Sequence, residues 1–254
     1  MIILIDGDVL AYRAACSPIR LGYIDKETGK EAKRQPTRDE ATATLNKLMM
    51  EVLEGASGKD ILENIKYEVF LTGKGNFRLD YAVTAPYKGN RKDVEKPEQL
   101  DACRTYMKLM YNAVVSQGEE ADDLLGIRST ALGPDGCCVA STDKDMLQLN
   151  CHHYNITRGE LSYVEPFEGL LWFYGQIIEG DRADNIQGIN GIGPKKREKI
   201  LAGCTTEEDL YLTCVATFMA AQDLTEDQAK ARVLENGRLA WLRRYPDQIW
   251  EPFS

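Results

Sequence analysis

Eight carboxylates stand in tight groups along this 254-residue chain: Asp6, the run Glu120-Ala121-Asp122-Asp123, the pair Asp143/Asp145 and the pair Asp181/Asp184. Carboxylates gathered in one place repel one another unless protons or cations hold them. Oxygen donors of this kind suit hard divalent ions such as Mg²⁺ or Mn²⁺. Two such ions can clamp a phosphodiester and activate the water that attacks it, so the chemistry within reach is two-metal hydrolysis. The chain has only two histidines, His152 and His153, and no Ser/His/Asp arrangement. A mechanism built on a protein nucleophile therefore has little to work with.

The elements that must position these acids can be read from the residues before them. Ile2-Ile3-Leu4-Ile5 runs into Asp6-Gly7-Asp8, and Val139-Ala140-Ser141-Thr142 runs into Asp143-Lys144-Asp145. Short apolar runs that stop at acids read as buried parallel strands, and open α/β sheets bind ligands at the carboxyl ends of such strands. Residues 2–5, 67–72 and 137–141 are expected as strands. A capping box, Thr37-Arg38-Asp39-Glu40, predicts a helix whose apolar face is Leu45, Leu48, Met49, Val52 and Leu53, closed by Gly55. A further amphipathic helix is expected over 98–112, after Pro97. Beyond about 205 the pattern is helical throughout. The fold class is α/β, with a mainly parallel sheet flanked by helices. Two stretches break the alternation: a polar, Gly- and Lys/Arg-rich segment from 73 to 96, and residues 181–201. A connection as long as the first is usually functional or disordered inside a compact domain.

The totals exclude several classes. Apolar content of 43% and charged content of 28% are those of a soluble globular chain, and no apolar run reaches membrane-spanning length. The start reads straight into a strand with no basic leader, so the expected place is the cytoplasm. Seven cysteines form no Cys-x-x-Cys pair and fit buried reduced thiols. Cys151-His152-His153 is a poor zinc site, because adjacent residues on a strand point to opposite faces. A net charge of −9 does not exclude DNA. Two divalent ions would neutralise about half of that excess, and the bases are bunched at 88–96 and 195–199.

In order, the pieces Ile5-Asp6-Gly7-Asp8, Pro86-Tyr87-Lys88-Gly89-Asn90-Arg91-Lys92, Glu120-Ala121-Asp122-Asp123, Ser141-Thr142-Asp143-Lys144-Asp145, Gly180-Asp181-Arg182-Ala183-Asp184-Asn185 and Gly188-Ile189-Asn190-Gly191-Ile192-Gly193-Pro194-Lys195-Lys196 resemble the 5′–3′ exonuclease and flap endonuclease superfamily, most nearly its short phage-type members. Six pieces in family order, from residue 5 to about 200, are far more specific than any one acidic run. The resemblance implies metal-ligand roles for Asp6, Glu120, Asp122, Asp143, Asp145, Asp181 and Asp184, with Asp123 as the extra acid of bacterial and phage members. It places Glu120 and Asp122 on a first divalent ion (Mg²⁺ or Mn²⁺), Asp145, Asp181 and Asp184 on a second, and Asp143 near both. It gives Lys88 a catalytic role at the scissile phosphate, with Arg91 assisting. One departure stands out: where the family carries an acid after the strand at 67–72, this chain has Thr72-Gly73.

The resemblance also implies a PIN-like nuclease domain over 1–165, with a helical arch or gateway near 74–100. Lys74, Arg78, Lys88, Arg91, Lys92 and Lys96 would line that arch, and Phe77, Tyr81 and Tyr87 could stack bases. A helical C-terminal region over 166–254 would carry a helix-hairpin-helix element near 184–202. There Gly188, Gly191, Gly193, Lys195 and Lys196 would contact duplex backbone, and K⁺ could sit in the turn. The expected activity is divalent-metal-dependent 5′–3′ hydrolysis of DNA with a free 5′ end or flap, with RNA–DNA hybrids as an added substrate. A phage-encoded replication or genome-degradation nuclease fits this size. The rivals are a catalytically weakened structure-specific DNA-binding protein and a PIN-like endoribonuclease; the 184–200 segment argues against the second.

Overall fold

The computed structural model describes residues 1–24, 28–58, 64–91 and 95–253. Lys92, expected at the DNA, lies outside the described residues. The chain opens with β1 (Ile2–Asp6), whose apolar residues are buried, followed at once by α1 (Gly7–Cys16). A two-stranded antiparallel hairpin, β2 (Ile19–Ile24) and β3 (Glu31–Arg34), comes next. Its strands show no clean apolar alternation, which is why the sequence does not announce it. The capping box forms as expected and opens α2 (Arg38–Ser57), with Thr37 and Glu40 satisfying each other's backbone amides.

This helix ends at Gly58, in the left-handed region with φ 63°, and not at Gly55. Gly55 is internal and serves close packing: a Cβ there would lie 2.0 Å from the Tyr154 hydroxyl. β4 (Tyr67–Lys74), α3 (Leu100–Met110), β5 (Val114–Gln117), α4 (Ala121–Leu132), β6 (Cys137–Ser141), β7 (His152–Asn155) and β8 (Glu160–Tyr163) complete the sheet layer.

The six-stranded sheet has the order β5-β4-β1-β6-β7-β8, with β8 alone antiparallel to its neighbour. The chain moves from β1 outward to β4 and β5, then returns to β6 on the other side of β1. Strand order therefore reverses at β1, and the crevice beyond β1 and β6 is where such sheets bind ligands. Asp6 ends β1, and Asp143 follows β6 by two residues. One core packs α1, α2 and α3 on one face around Leu10, Leu45, Met49 and Met107; a second packs α4 on the other around Leu4, Leu125 and Val139.

The remainder is helical: α5 (Pro166–Glu179), a pair of two-residue strands β9 (Gly180–Asp181) and β10 (Ile186–Gln187), then α6 (Pro194–Leu201), α7 (Glu207–Gln222) and α8 (Glu226–Ala240). These helices share a third core around Phe173, Ile177, Phe218 and Val233. The last residues, 241–253, are irregular and not helical, although Trp250 is buried against α5. Among the described residues no helix is long and apolar enough to cross a membrane.

Candidate active site at the carboxyl edge of the sheet

Asp6 is the N-cap of α1, so the last residue of a buried strand must turn its carboxylate toward a helix N-terminus. It accepts hydrogen bonds from the Val9 amide (3.2 Å) and the Ser141 hydroxyl (2.7 Å). Ser141 Oγ also accepts from the Asp143 amide at 3.0 Å, tying β1 to the loop after β6. Burial pushes the Asp6 carboxyl up to about 6, against the pull of those donors. Glu120 caps α4, and Asp122 lies in its first turn. Asp122 is held well above the carboxylate range by burial first, and then by the charges of Asp6, Asp143 and Glu120. Burial also raises Asp143.

Asp145 receives an amide hydrogen bond from Gln176 of α5 (2.5 Å), yet burial and the charges of Asp143, Asp181 and Asp184 push it up to about 8. Asp181 accepts from the amides of Ala183 (2.6 Å) and Asp184 (3.2 Å). Two cavities meet at this edge. One of about 480 Å³ is lined by Asp6, Glu120, Asp122, Asp143 and Asp184, together with Lys88 and Arg91. The other, of about 920 Å³, is lined by Asp143, Asp145 and Asp181 and by the Gly188–Gly193 turn. Asp143 and Thr142 belong to both. Seven of the eight expected acids thus face a single double cavity.

Asp123 does not. It is wholly buried, and its two oxygens accept from Arg78 (2.7 and 2.8 Å) and from the amides of Glu120 (3.1 Å) and Arg243 (3.2 Å). Although burial opposes ionisation, Arg78 holds this carboxyl below its usual range. Both of its oxygens are taken by these structural donors, and it lines neither cavity. Arg78 is corrected with it. It is 2% exposed and lines no surface.

The aromatic residues of the same segment are likewise committed to packing. Phe77 lies under the guanidiniums of Arg243 (3.8 Å) and Arg78 (4.6 Å), and Tyr81 under that of Arg238 (4.9 Å). Buried Tyr87 donates its hydroxyl between Glu120 (2.8 Å) and Asp184 (2.7 Å). None is free to stack a base in this arrangement. Lys74, Arg91 and Lys96 remain exposed.

Lys88 lines the smaller cavity beside the acids. Its backbone has φ 53°, and its amide donates to the Asp184 carbonyl at 2.8 Å. Its ammonium pairs with Glu120 and lies 3.5 Å from Asp184. Burial alone would lower this ammonium; Glu120 and Asp184 outweigh burial and hold it raised. Arg91 pairs with Asp184 (2.6 Å) and donates to the Ala183 carbonyl (2.9 Å). The stretch 86–91 is thus laced onto 182–185, with Asn185 donating to Pro86 (2.9 Å) and Asn90 to Arg182 (2.7 Å).

Residues in α8 fix the other end of this stretch, and the sequence offered no motif there. Glu235 accepts from the Val83 and Thr84 amides (2.9 and 2.6 Å) and pairs with Arg232 (2.7 Å), which donates to the Gln187 carbonyl (2.7 Å). Glu235→Ala is therefore expected to loosen 82–88 at a cost of only about 1 kcal/mol, because the two amides it releases are exposed and can bond water. Faster amide hydrogen exchange at Val83 and Thr84, with α2 unchanged, is the expected result; equal exchange in both proteins would refute it.

The turn before α6 is shaped by close approach. A Cβ on Gly188 would lie 2.2 Å from the Glu179 carbonyl carbon, and Gly191 has φ 79°. Gly193 is the N-cap of α6, and Lys195 and Lys196 are exposed in its first turn. Among the described residues, no three acids, cysteines or histidines are arranged as a closed metal site. Tyr87, Lys88 and Arg91 instead hold Glu120 and Asp184. The donor set nevertheless fits divalent ions chemically: it is all carboxylate oxygen, and four of its members are desolvated and shifted toward neutrality, which a bound cation would reverse.

Sequence reasoning missed Ser141, Gln176 and Tyr87 as holders of these acids. A lone glutamine in the apolar run Phe173-Tyr174-Gly175-Gln176-Ile177-Ile178 was the available signal for one of them.

DNA polymerase I of Bacillus caldotenax is 29% identical over 261 residues, covering 96% of this chain and 28% of that protein. DNA polymerase I of Synechocystis is 30% identical over 241 residues, covering 83% and 23%. The flap endonuclease Xni of Shewanella amazonensis is 30% identical over 138 residues, covering 49% and 54%. The chain spans less than a third of the length of these polymerases.

Among solved structures, T5 5′-exonuclease with bound zinc matches with a TM-score of 0.61 at 19% identity, covering 94% of this chain and 88% of that one. The bacteriophage T5 flap endonuclease in a pseudo-enzyme–product complex with DNA and metal ions matches at 0.52 and 19%, covering 93% and 98%. These two share the fold. The family model of the 5′-3′ exonuclease N-terminal, resolvase-like domain matches residues 1–168, and the chain belongs to that family.

Proposed function

We propose that this chain is a divalent-metal-dependent 5′–3′ nuclease that hydrolyses DNA phosphodiesters at duplexes with a free 5′ end or flap. One observation carries the reading: seven carboxylates line two adjoining cavities that share Asp143, with Lys88 at one and the glycine turn at the other. Asp6, Glu120 and Asp122 would hold one ion and Asp145 and Asp181 the other, with Asp143, which lines both cavities, near both and Asp184 reaching the second from the smaller cavity. Such a pair supplies a water of lowered pKa and positive charge for the leaving oxygen.

The chain's own residues do the rest. Lys88 and Arg91 exchange their carboxylate partners for the phosphate, offsetting charge as it builds. Lys195 and Lys196, exposed at the start of α6, hold duplex backbone without reading sequence. The 1–165 and 166–254 division follows the same logic: the sheet layer brings Asp6, Glu120, Asp122, Asp143 and Asp145, and the second region brings Asp181, Asp184 and the duplex contact. RNA–DNA hybrids, and K⁺ in the 188–193 turn, extend this reading on the strength of the family resemblance.

The test is incubation of a 5′-flap duplex, a blunt duplex and an RNA–DNA hybrid with Mg²⁺ or Mn²⁺. An EDTA control and Asp145→Ala run beside them. Loss of cleavage in both controls is expected; cleavage indifferent to both would end the reading.

The protonation of the acids gives a second check. Asp6 and Asp145 are raised to about 6 and about 8 in the folded state, so the fold binds more protons than the unfolded chain. Without metal, their contribution to stability is then present at low pH and lost as pH rises through those values. Divalent ions reverse that loss. The rise in Tm on adding Mg²⁺ should therefore be larger above the Asp145 value than below the Asp6 value. An equal or opposite increment in differential scanning fluorimetry would contradict it.

A further inference from the structure

Around the smaller cavity nearly every element contributes an acid: β1 gives Asp6, the loop after β6 gives Asp143, and α4 gives Glu120 and Asp122. β4 lies beside β1 and gives none, since it passes the cavity as Thr72-Gly73. Gly73 cannot carry one. A Cβ there would lie 1.8 Å from the Ser116 carbonyl oxygen of β5. Thr72 does face the cavity, but its hydroxyl is engaged, accepting from the Ala121 amide at 3.0 Å.

A carboxylate nevertheless stands at the end of β4. Asp8, in the first turn of α1, lines the same cavity and accepts the Thr72 amide hydrogen bond at 2.8 Å. Its side chain is 30% exposed, and its other oxygen pairs with Arg104 of α3, which also donates to the Thr72 carbonyl. Nothing in α1 requires an acid two residues after the N-cap, which Asp6 already fills. An acid in a first helical turn gains only about 0.3–1 kcal/mol from the dipole. Arg104 is itself half-desolvated and lowered by burial, so the pair is not placed where an ion pair gains most.

We propose that Asp8 is a further metal-site carboxylate, supplying from α1 the oxygen donor that β4 lacks, with Arg104 as its counter-charge when no cation is bound. This rests on the two-metal reading above. Asp8 would add a donor to those of Glu120 and Asp122, which line the same cavity, with Thr72 bonded both to Asp8 and to the start of α4.

The test is Mn²⁺ titration of the whole chain by calorimetry, with metal alone and no substrate. Asp8→Asn should bind Mn²⁺ at least about 10–100-fold more weakly, the loss that removing even an outer-shell partner of a metal ligand causes. Asp8→Asn combined with Thr72→Asp should regain most of that affinity, because Thr72 lines the same cavity. Arg104→Ala should bind at least as tightly as the parent.

Parent-like binding by Asp8→Asn, beside weakened binding by Asp122→Asn, would overturn the assignment of Asp8 and leave the nuclease reading standing. No Mn²⁺ uptake by the parent would overturn both. If Asp8→Asn fails to fold, Arg104→Ala decides: weakened binding there would make Asp8 a mere anchor for Arg104.

Discussion

Lys88→Ala is expected to lower turnover on a 5′-flap duplex by about 10²–10³-fold, the loss seen when one charge-stabilising donor is removed from a preorganised site. The size follows from how this side chain is held. A non-glycine residue at φ 53° is uncommon, and it persists because the Lys88 amide is bonded to Asp184 and the flanking residues are laced to 182–185. The Lys88 side chain is 24% exposed and lines the cavity holding Glu120 and Asp184, on the side where a phosphate bound there would lie.

Kinetics separate this role from support of the metal-binding acids. Without Lys88, Glu120 and Asp184 lose a competing cation, so the metal concentration for half-maximal activity should fall or stay level while kcat drops. Near-normal kcat, or a loss recovered by added Mg²⁺, would remove Lys88 from the chemistry. Arg91→Ala should follow the same pattern with a smaller loss, since Arg91 is half exposed and, among the described residues, its ion pair is with Asp184.

Much of the scaffold is legible because apolar runs and caps are local signals. Ile2–Ile5 and Cys137–Ser141 announce buried strands, and Thr37 with Glu40 announces the start of α2. Signals that depend on a distant partner are not legible. Gly55 looks like a helix stop, and only the Tyr154 hydroxyl packed against it reveals close packing. The same limit divides the site. Asp122 and Asp123 are adjacent and identical in type, but on a helix neighbouring residues point about 100° apart. One turns to the cavity and the other to the buried side of α4, where Arg78 waits.

The segment from 73 to 96 shows the limit from the other direction. Its charge and glycine content suggest an exposed arch lined by bases. Arg78 and Tyr87 are instead drawn inward by Asp123, by Glu120 and Asp184, and by the carbonyls of the C-terminal chain. No composition count distinguishes a phosphate-binding arginine from one that finds a carboxylate 45 residues later.

That buried pair carries the largest expected effect on stability. Arg78 donates to both oxygens of Asp123 and to the carbonyls of Leu239 (2.9 Å) and Trp241 (2.6 Å), so one guanidinium joins α4 to the end of α8. Removing one partner leaves the other charge buried and unpaired, which costs about 3–5 kcal/mol. Arg78→Met and Asp123→Asn should each lose stability of that order in urea unfolding followed by circular dichroism.

The double variant Arg78→Met/Asp123→Leu should recover a good part of it, because two apolar residues leave no orphaned charge. Where Asp123→Asn remains folded, its Mn²⁺ affinity should match the parent, since neither oxygen of Asp123 faces the cavities. A variant as stable as the parent that binds metal weakly would return Asp123 to the metal site. The opposite pattern would show that, of two neighbouring acids on one helix, Asp122 faces the ions and Asp123 locks the sheet layer to the C-terminal helices.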